Sequence, residues 1–336
     1  MARILVLGGG PAGLESALYL ATRNQEVILV DKKEKLGGSS LSYNCKATDE
    51  CRRCGACLVS ERVYQVHRHP LIQVLTESNL SVAYSEAEIF RVKIMGVNGP
   101  LETEVSGIIL ATGFELLDPS VRGEMGYLRL KQVITAREME EKLRNAKDDW
   151  EEELGALPRI AIIRCFGSRE QSRGVSYCSR VCCLYSKKMA EILIDRIPGA
   201  TVDVFYMDGQ RYHPVYATGS RNSIRYIRSM PARIDKDPNE NLIVRYEDAS
   251  RSQIESGFYD WVVLCPAIIP MPDNHEVYEM LGVEKEARGF IASIDGSTSQ
   301  KGIFAAGCCI GPQTIVESLG SGQTAAGHLL KHLASS

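Results

Sequence analysis

The 336-residue chain carries 44% apolar and 24% charged residues, enough for about two globular domains with full cores. Its net charge of -3 excludes the dense basic surface that nucleic acid or an anionic membrane demands, and no apolar run approaches the ~20 residues of a membrane helix. The first residues show no basic and apolar leader, so the expected compartment is the cytoplasm, where eleven cysteines point to metal ligation or thiol chemistry instead of structural disulfides.

A strand over Arg3–Leu7 leads into Gly8-Gly9-Gly10-Pro11-Ala12-Gly13, then a helix with Leu14, Ala17, Leu18 and Ala21 on one face, then a short buried strand over Val27–Val30. The G-x-G-x-x-G spacing between strand and helix has a mechanical reading. Gly8 permits the tight turn, Gly10 lets the backbone approach a pyrophosphate, and Gly13 lets the helix pack closely on the strand. The diphosphate then rests on the helix N-terminus. Asp31 closes the second strand, where an acid accepts the adenosine ribose hydroxyls, and Lys32 and Gly38 extend this candidate cofactor-binding set.

Residues 44–58 read as a cysteine-rich loop in which Cys45, Cys51, Cys54 and Cys57 form C-x5-C-x2-C-x2-C. Spacing alone leaves three readings open: an iron–sulfur cluster, an all-cysteine zinc site, or thiol–disulfide chemistry. A helix follows and ends before His69-Pro70, with His67 and His69 read as capping or core histidines. Strands are expected over 71–75, 81–84, 90–97 and 107–111. Residues 115–158 look like a linker containing a charged helix from about 135 to 149, and Trp150 and Trp261 read as packing residues. A second alternating block starts at "RIAIIRC", includes "TVDVFYMD" and closes with "FYDWVVLCP"; the tail is strand, loop and long helix. No internal repeat is visible.

Within the second block, Cys165, Cys178, Cys182 and Cys183 form C-x12-C-x3-C-C, the last three at the start of a helix. Adjacent cysteines are poor disulfide partners for each other, and a core of small hydrophobes does not account for three together. Metal or redox chemistry is the sharper reading, since thiolate is the soft ligand that iron–sulfur centres require. Lys188 lies five residues after Cys183 on the same helix. Cys265 reads as a buried cysteine at the end of an apolar strand.

Asp31, Gly37-Gly38, the strand-turn "GIILATG" with Ala111, Thr112 and Gly113, and "GIFAAGC" with Gly307 together resemble the flavoproteins with two dinucleotide-binding domains, the thioredoxin-reductase-like family. The resemblance implies an α/β fold of two Rossmann-like domains, with FAD in the first. In that family an Asp holding the flavin ribityl follows the glycine of the closing motif; here Cys308 stands in its place. The family's second glycine fingerprint is also missing: Arg164, Cys165 and Phe166 occupy it, and their bulk argues against a nicotinamide nucleotide.

"CFGSRE", "YCSRVCCLYSKK", "VFYMD", "ATGFE", "VITAREME" and "CIGPQTI", the last containing Thr314, resemble the A-type subunits of the heterodisulfide reductases over nearly the whole chain. This resemblance implies a [4Fe–4S] cluster at Cys165, Cys178, Cys182 and Cys183, and a lysine near the flavin at Lys188. A second cluster at Cys45, Cys51, Cys54 and Cys57 stays open. No ferredoxin-type C-x2-C-x2-C-x3-C module is present, so the chain resembles the short form found in heterodisulfide-reductase-like complexes of sulfur oxidisers. The expected domains are 1–119 with 285–336 for FAD, a helical linker over 120–154, and a degenerate second domain over 155–284. The expected function is FAD- and iron–sulfur-dependent electron transfer in cytoplasmic sulfur oxidation. The expected partners are B- and C-type subunits and a second copy, without nucleic acid or membrane. The rivals are an NAD(P)H-dependent thiol/disulfide reductase and a non-catalytic electron-transfer or assembly subunit.

Overall fold

Strand Arg3–Leu7 is buried from Ile4 onward, as a strand covered on both faces must be, and it lies at the centre of a five-stranded parallel sheet. Glu26–Val30 and Gly107–Leu110 flank it, with Leu5 opposite both Ile28 and Ile108. Ile72–Leu75 and Ile303–Ala305 form the edges. The computed structural model describes residues 2–47, 50–51, 53–86, 89–145, 154–209, 223–248 and 251–335. Trp150 and the end of the charged helix expected up to residue 149 lie outside these.

The chain divides into two units: residues 1–41, 55–115 and 270–336, and residues 42–54 and 116–269. In the first, helix Pro11–Ala21 and the C-terminal helix Ile315–Ser335 approach closely because Gly322 has no side chain; a Cβ there would come within 2.3 Å of the Ala12 carbonyl. The helix expected before His69-Pro70 runs Ala56–Arg68, and a three-stranded antiparallel sheet runs through Asn79–Glu86, Ile89–Gly96 and Gly99–Val105.

The second unit repeats this plan. Arg159–Phe166 is the central strand of a five-stranded parallel sheet, in the order 224–228, 201–206, 159–166, 261–266, 133–135. A second antiparallel sheet joins Arg233–Lys236, Leu242–Asp248 and Gln253–Tyr259. In each unit one residue separates the last antiparallel strand from the next parallel one. Ser106 N–H donates to Arg3 O at 2.8 Å, and Asp260 N–H donates to Arg159 O at 2.9 Å. The repeat lies in the backbone and not in the side chains, which is why the sequence hides it.

The stretch read as a linker over 120–154 forms part of the second unit. Val133–Thr135 supplies a sheet edge, and helix Ala136–Asn145 buries Met139 and Leu143. The units change at 115/116 and 269/270, against 119/120 and 284/285 in the sequence reading, and residues 42–54 go with the second unit. Among the described residues no helix is long and apolar enough to cross a membrane.

Candidate functional site

The glycine turn of the first unit is packed where packing is required and open where a ligand would lie. At Gly8, whose φ is +105°, a Cβ would stand 2.2 Å from the Ala111 carbonyl oxygen; at Gly13 it would stand 1.8 Å from that of Gly8. At Gly10 it would meet nothing within 4 Å. Gly10 is also the N-cap of helix Pro11–Ala21 and offers no side-chain cap, so the first-turn N–H groups keep their capacity for an anion. Gly37 N–H donates to Gly9 O at 2.7 Å, and Gly38, at φ +59°, comes against Gly10. Two glycine turns thus border one open space of the kind a diphosphate needs.

Asp31 is at the end of its strand as expected, but its carboxylate also organises the turn. Oδ2 accepts Gly9 N–H at 2.6 Å and Oδ1 accepts Lys33 N–H at 2.8 Å. Lys32 points elsewhere, its Nζ donating to Asn274 Oδ1 at 3.3 Å. Thr112 Oγ1 lies 2.6 Å from the Tyr278 hydroxyl, and Gly113 is left-handed with open space around it. Gly307 packs on Ala12, and its N–H donates to Ser321 Oγ at 2.8 Å. Cys308, in the place of the ribityl-binding Asp, is buried and donates to Gln313 O at 3.6 Å. Cys309 donates to Leu110 O and Ala306 O, and burial pushes its thiol up to about 12. Thr314 is a helix cap, exchanging hydrogen bonds with Glu317. The sequence missed Tyr278 and Asn274, which no motif marks.

In the second unit, Cys165, Cys182 and Cys183 are buried in one patch with Cys265. Cys165 is the next-to-last residue of the central strand and has a left-handed conformation, φ +56°. A hydrogen bond from the Cys182 thiol and the guanidinium of Arg169 lower the Cys165 thiol to about 7 against the opposing effect of burial. Contact with Cys165 and Cys183, together with burial, raises Cys182. Arg169 Nη2 is 3.8 Å from Cys165 Sγ, and its Nη1 is fixed by Asp208 at 2.7 Å. Cys265, as expected, is a buried thiol pushed up to about 12 by desolvation.

Cys178 does not share a helix face with Cys182. The helix begins at Cys182, and left-handed Arg180 intervenes, its N–H donating to Cys178 Sγ at 3.3 Å. The loop carrying Cys178 is held by Ser179, whose hydroxyl meets Ser168 Oγ at 2.8 Å and accepts Ile268 N–H at 2.9 Å. Among the described residues no group of three or more His, Cys, Asp or Glu is arranged as a finished metal cage. The donor chemistry nevertheless fits an iron–sulfur centre: three buried thiols in one patch, a fourth on the adjoining loop, and cationic groups beside them. Of these cations, Arg164 was read from sequence only as bulk; a charged residue in "IAIIRCF" was the signal.

Cys45, Cys51 and Cys54 belong to the second unit and Cys57 to helix Ala56–Arg68 of the first. Cys45, Cys51 and Cys57 are exposed, and Cys54 is half-buried. Lys46 and Glu140 anchor this loop as a buried ion pair, with Asn44 N–H also donating to Glu140 at 2.8 Å. Lys188 is half-buried; desolvation lowers its ammonium pKa, while the thiols of Cys54 and Cys51 oppose this. The structure therefore puts Lys188 in the electrostatic reach of the cysteine loop. His67 is exposed, and His69 caps its helix and accepts Leu71 N–H.

A family profile described as pyridine nucleotide-disulphide oxidoreductase matches residues 2–163. The chain is 29% identical to an A-type iron–sulfur subunit of the CoB–CoM heterodisulfide reductase of Methanopyrus kandleri, over 99% of this chain and 64% of that protein. It is 26% identical to the A-type subunit of the H2:CoB-CoM heterodisulfide,ferredoxin reductase of Methanothermobacter thermautotrophicus, over 96% and 63%. The chain thus spans just under two thirds of the length of these relatives. In backbone it matches thioredoxin reductase of Lactococcus lactis with a TM-score of 0.67 over the whole of both chains, at 16% identity. The expected resemblances in sequence and in fold are both borne out: the chain is similar to the A-type subunits of heterodisulfide reductases, and its backbone follows the thioredoxin-reductase-like plan.

Proposed function

We propose that the chain is an FAD- and iron–sulfur-dependent electron-transfer subunit of a heterodisulfide-reductase-like complex. The observation that carries this reading is the buried cysteine patch at the end of the second unit's central strand, where a nucleotide-binding domain needs glycine. Gly8, Gly10, Pro11, Ala12, Gly13, Asp31, Gly38, Ala111, Thr112, Gly113 and Gly307 would hold FAD. Cys165, Cys178, Cys182 and Cys183 would hold one [4Fe–4S] cluster. Bound there, the flavin supplies one- and two-electron chemistry and the cluster one-electron chemistry. The chain's own part is to hold the diphosphate on the helix N-terminus, fix the thiols in a dry patch, and set their charge environment. B- and C-type subunits and a second copy of this chain are the proposed partners, in cytoplasmic sulfur oxidation; the relatives are named as subunits of heterodisulfide reductases.

The test is a visible spectrum with iron and sulfide analysis of anaerobically prepared protein, repeated on Cys182→Ala. The variant should lose about one cluster of iron per chain and keep its flavin, whose glycines lie in the other unit. Unchanged iron, or a parent protein holding only zinc, would overturn the assignment.

A further inference from the structure

Arg164 is fully buried, in the central strand of the second unit, on the face that packs against the cysteine helix. Its Nε donates to Ser186 Oγ, and Ser186 in turn donates to Cys183 O at 3.4 Å, which ties the guanidinium to the first turn of helix Cys182–Arg196. Among the described residues Nη1 and Nη2 make no hydrogen bond of good geometry, and the polar side chain they approach, Tyr226, is a neutral phenol. The Tyr226 ring lies 5.3 Å from its Cζ, and its charge reaches Cys265, which also feels Cys165 and Cys183. Among the described residues no carboxylate pairs with it.

Guanidinium does not deprotonate in proteins, so this charge cannot be relieved by titration. A buried, unpaired charge is costly, and native proteins retain one only where something of opposite sign completes the site. We infer that Arg164 is the fixed counter-charge of the iron–sulfur centre at Cys165, Cys178, Cys182 and Cys183, and that it sets that centre's reduction potential. The inference rests on the cluster reading given above. A cluster held by four thiolates is anionic, and it gains a further negative charge on reduction. A permanent cation beside it stabilises the reduced form more than the oxidised form and so raises the potential. Arg164 is a positioning residue in this account, since it acts through the field and through Ser186.

The experiment compares reconstituted parent, Arg164→Lys, Arg164→Met and Arg164→Gln by iron and sulfide content, circular dichroism, and EPR-monitored redox titration of the cluster. The two neutral variants should bind the cluster with a potential shifted to more negative values, and Arg164→Lys should stay nearer the parent. If both neutral variants misfold while Arg164→Lys keeps cluster and potential, the need for a cation stands. A folded neutral variant with full iron and the parent's potential overturns the inference while leaving the cluster reading intact. A parent without iron overturns the cluster reading itself. NADPH binding by iron-free protein that is lost in Arg164→Met would assign the charge to a nucleotide phosphate and overturn the inference as well.

Discussion

Gly10 and Gly13 sit in one turn but make different demands on it. A Cβ at Gly13 would run into the Gly8 carbonyl, so Gly13→Ala strains the strand–helix contact and damages the fold. A Cβ at Gly10 meets no atom of the protein within 4 Å, so a side chain there takes only the space proposed for the diphosphate. Gly10→Val is therefore expected to fold with the thermal midpoint of the flavin-stripped parent and to come out of purification free of flavin. A flavin-to-protein ratio equal to the parent's would put the cofactor elsewhere. The glycines were legible because their spacing records a backbone requirement. Cys165 was legible as a thiol, but its left-handed backbone and its bond to Arg169 were not, since both depend on how the loop after the strand closes.

At the scale of elements, the cysteine loop shows how a buried ion pair decides where a segment belongs. Lys46 and Glu140 are both buried, and Glu140 also takes the Asn44 amide, so residues 42–54 are fastened to helix Ala136–Asn145. Lys46→Met leaves an uncompensated carboxylate in the interior and is expected to cost about 3–5 kcal/mol in urea unfolding. The double variant with Glu140→Leu should recover part of that loss, because the pair as a whole contributes less than breaking it costs. Nothing in "NCKATDE" announces a partner nearly a hundred residues away, and so the sequence reading kept the loop with the FAD domain. Strand legibility failed for a local reason. Gly99–Val105 runs into Gly107–Leu110, and Gln253–Tyr259 into Trp261–Pro266, across a single residue that is neither Gly nor Pro. In the second case "FYDWVVLCP" reads as one extended run; in the first the strand at 107 was expected and Gly99–Val105 was missed.

At the scale of the whole molecule, two units share one backbone plan and have diverged in what stands at the tip of the central strand. In the first unit that tip is Leu7-Gly8, and in the second it is Cys165-Phe166, with Phe166 fully buried. Without the glycines that let a backbone approach a pyrophosphate, neither NADH nor NADPH is expected to bleach the flavin at a useful rate under anaerobic stopped flow. Rapid bleaching by either would revive the rival reading as a nucleotide-dependent disulfide reductase. The plan itself was legible from one glycine fingerprint and the closing motifs. Its duplication was legible only through the family resemblance, because Arg164, Cys165 and Phe166 stand where the second glycine fingerprint would mark it. The chain also passes between its units four times and not twice, at 41/42, 54/55, 115/116 and 269/270. A gene fragment cut at the two obvious boundaries, 116–269, would carry Glu140 without Lys46 and Asn44. The second unit is therefore not a portable module: it becomes whole only when thirteen residues encoded far upstream are returned to it.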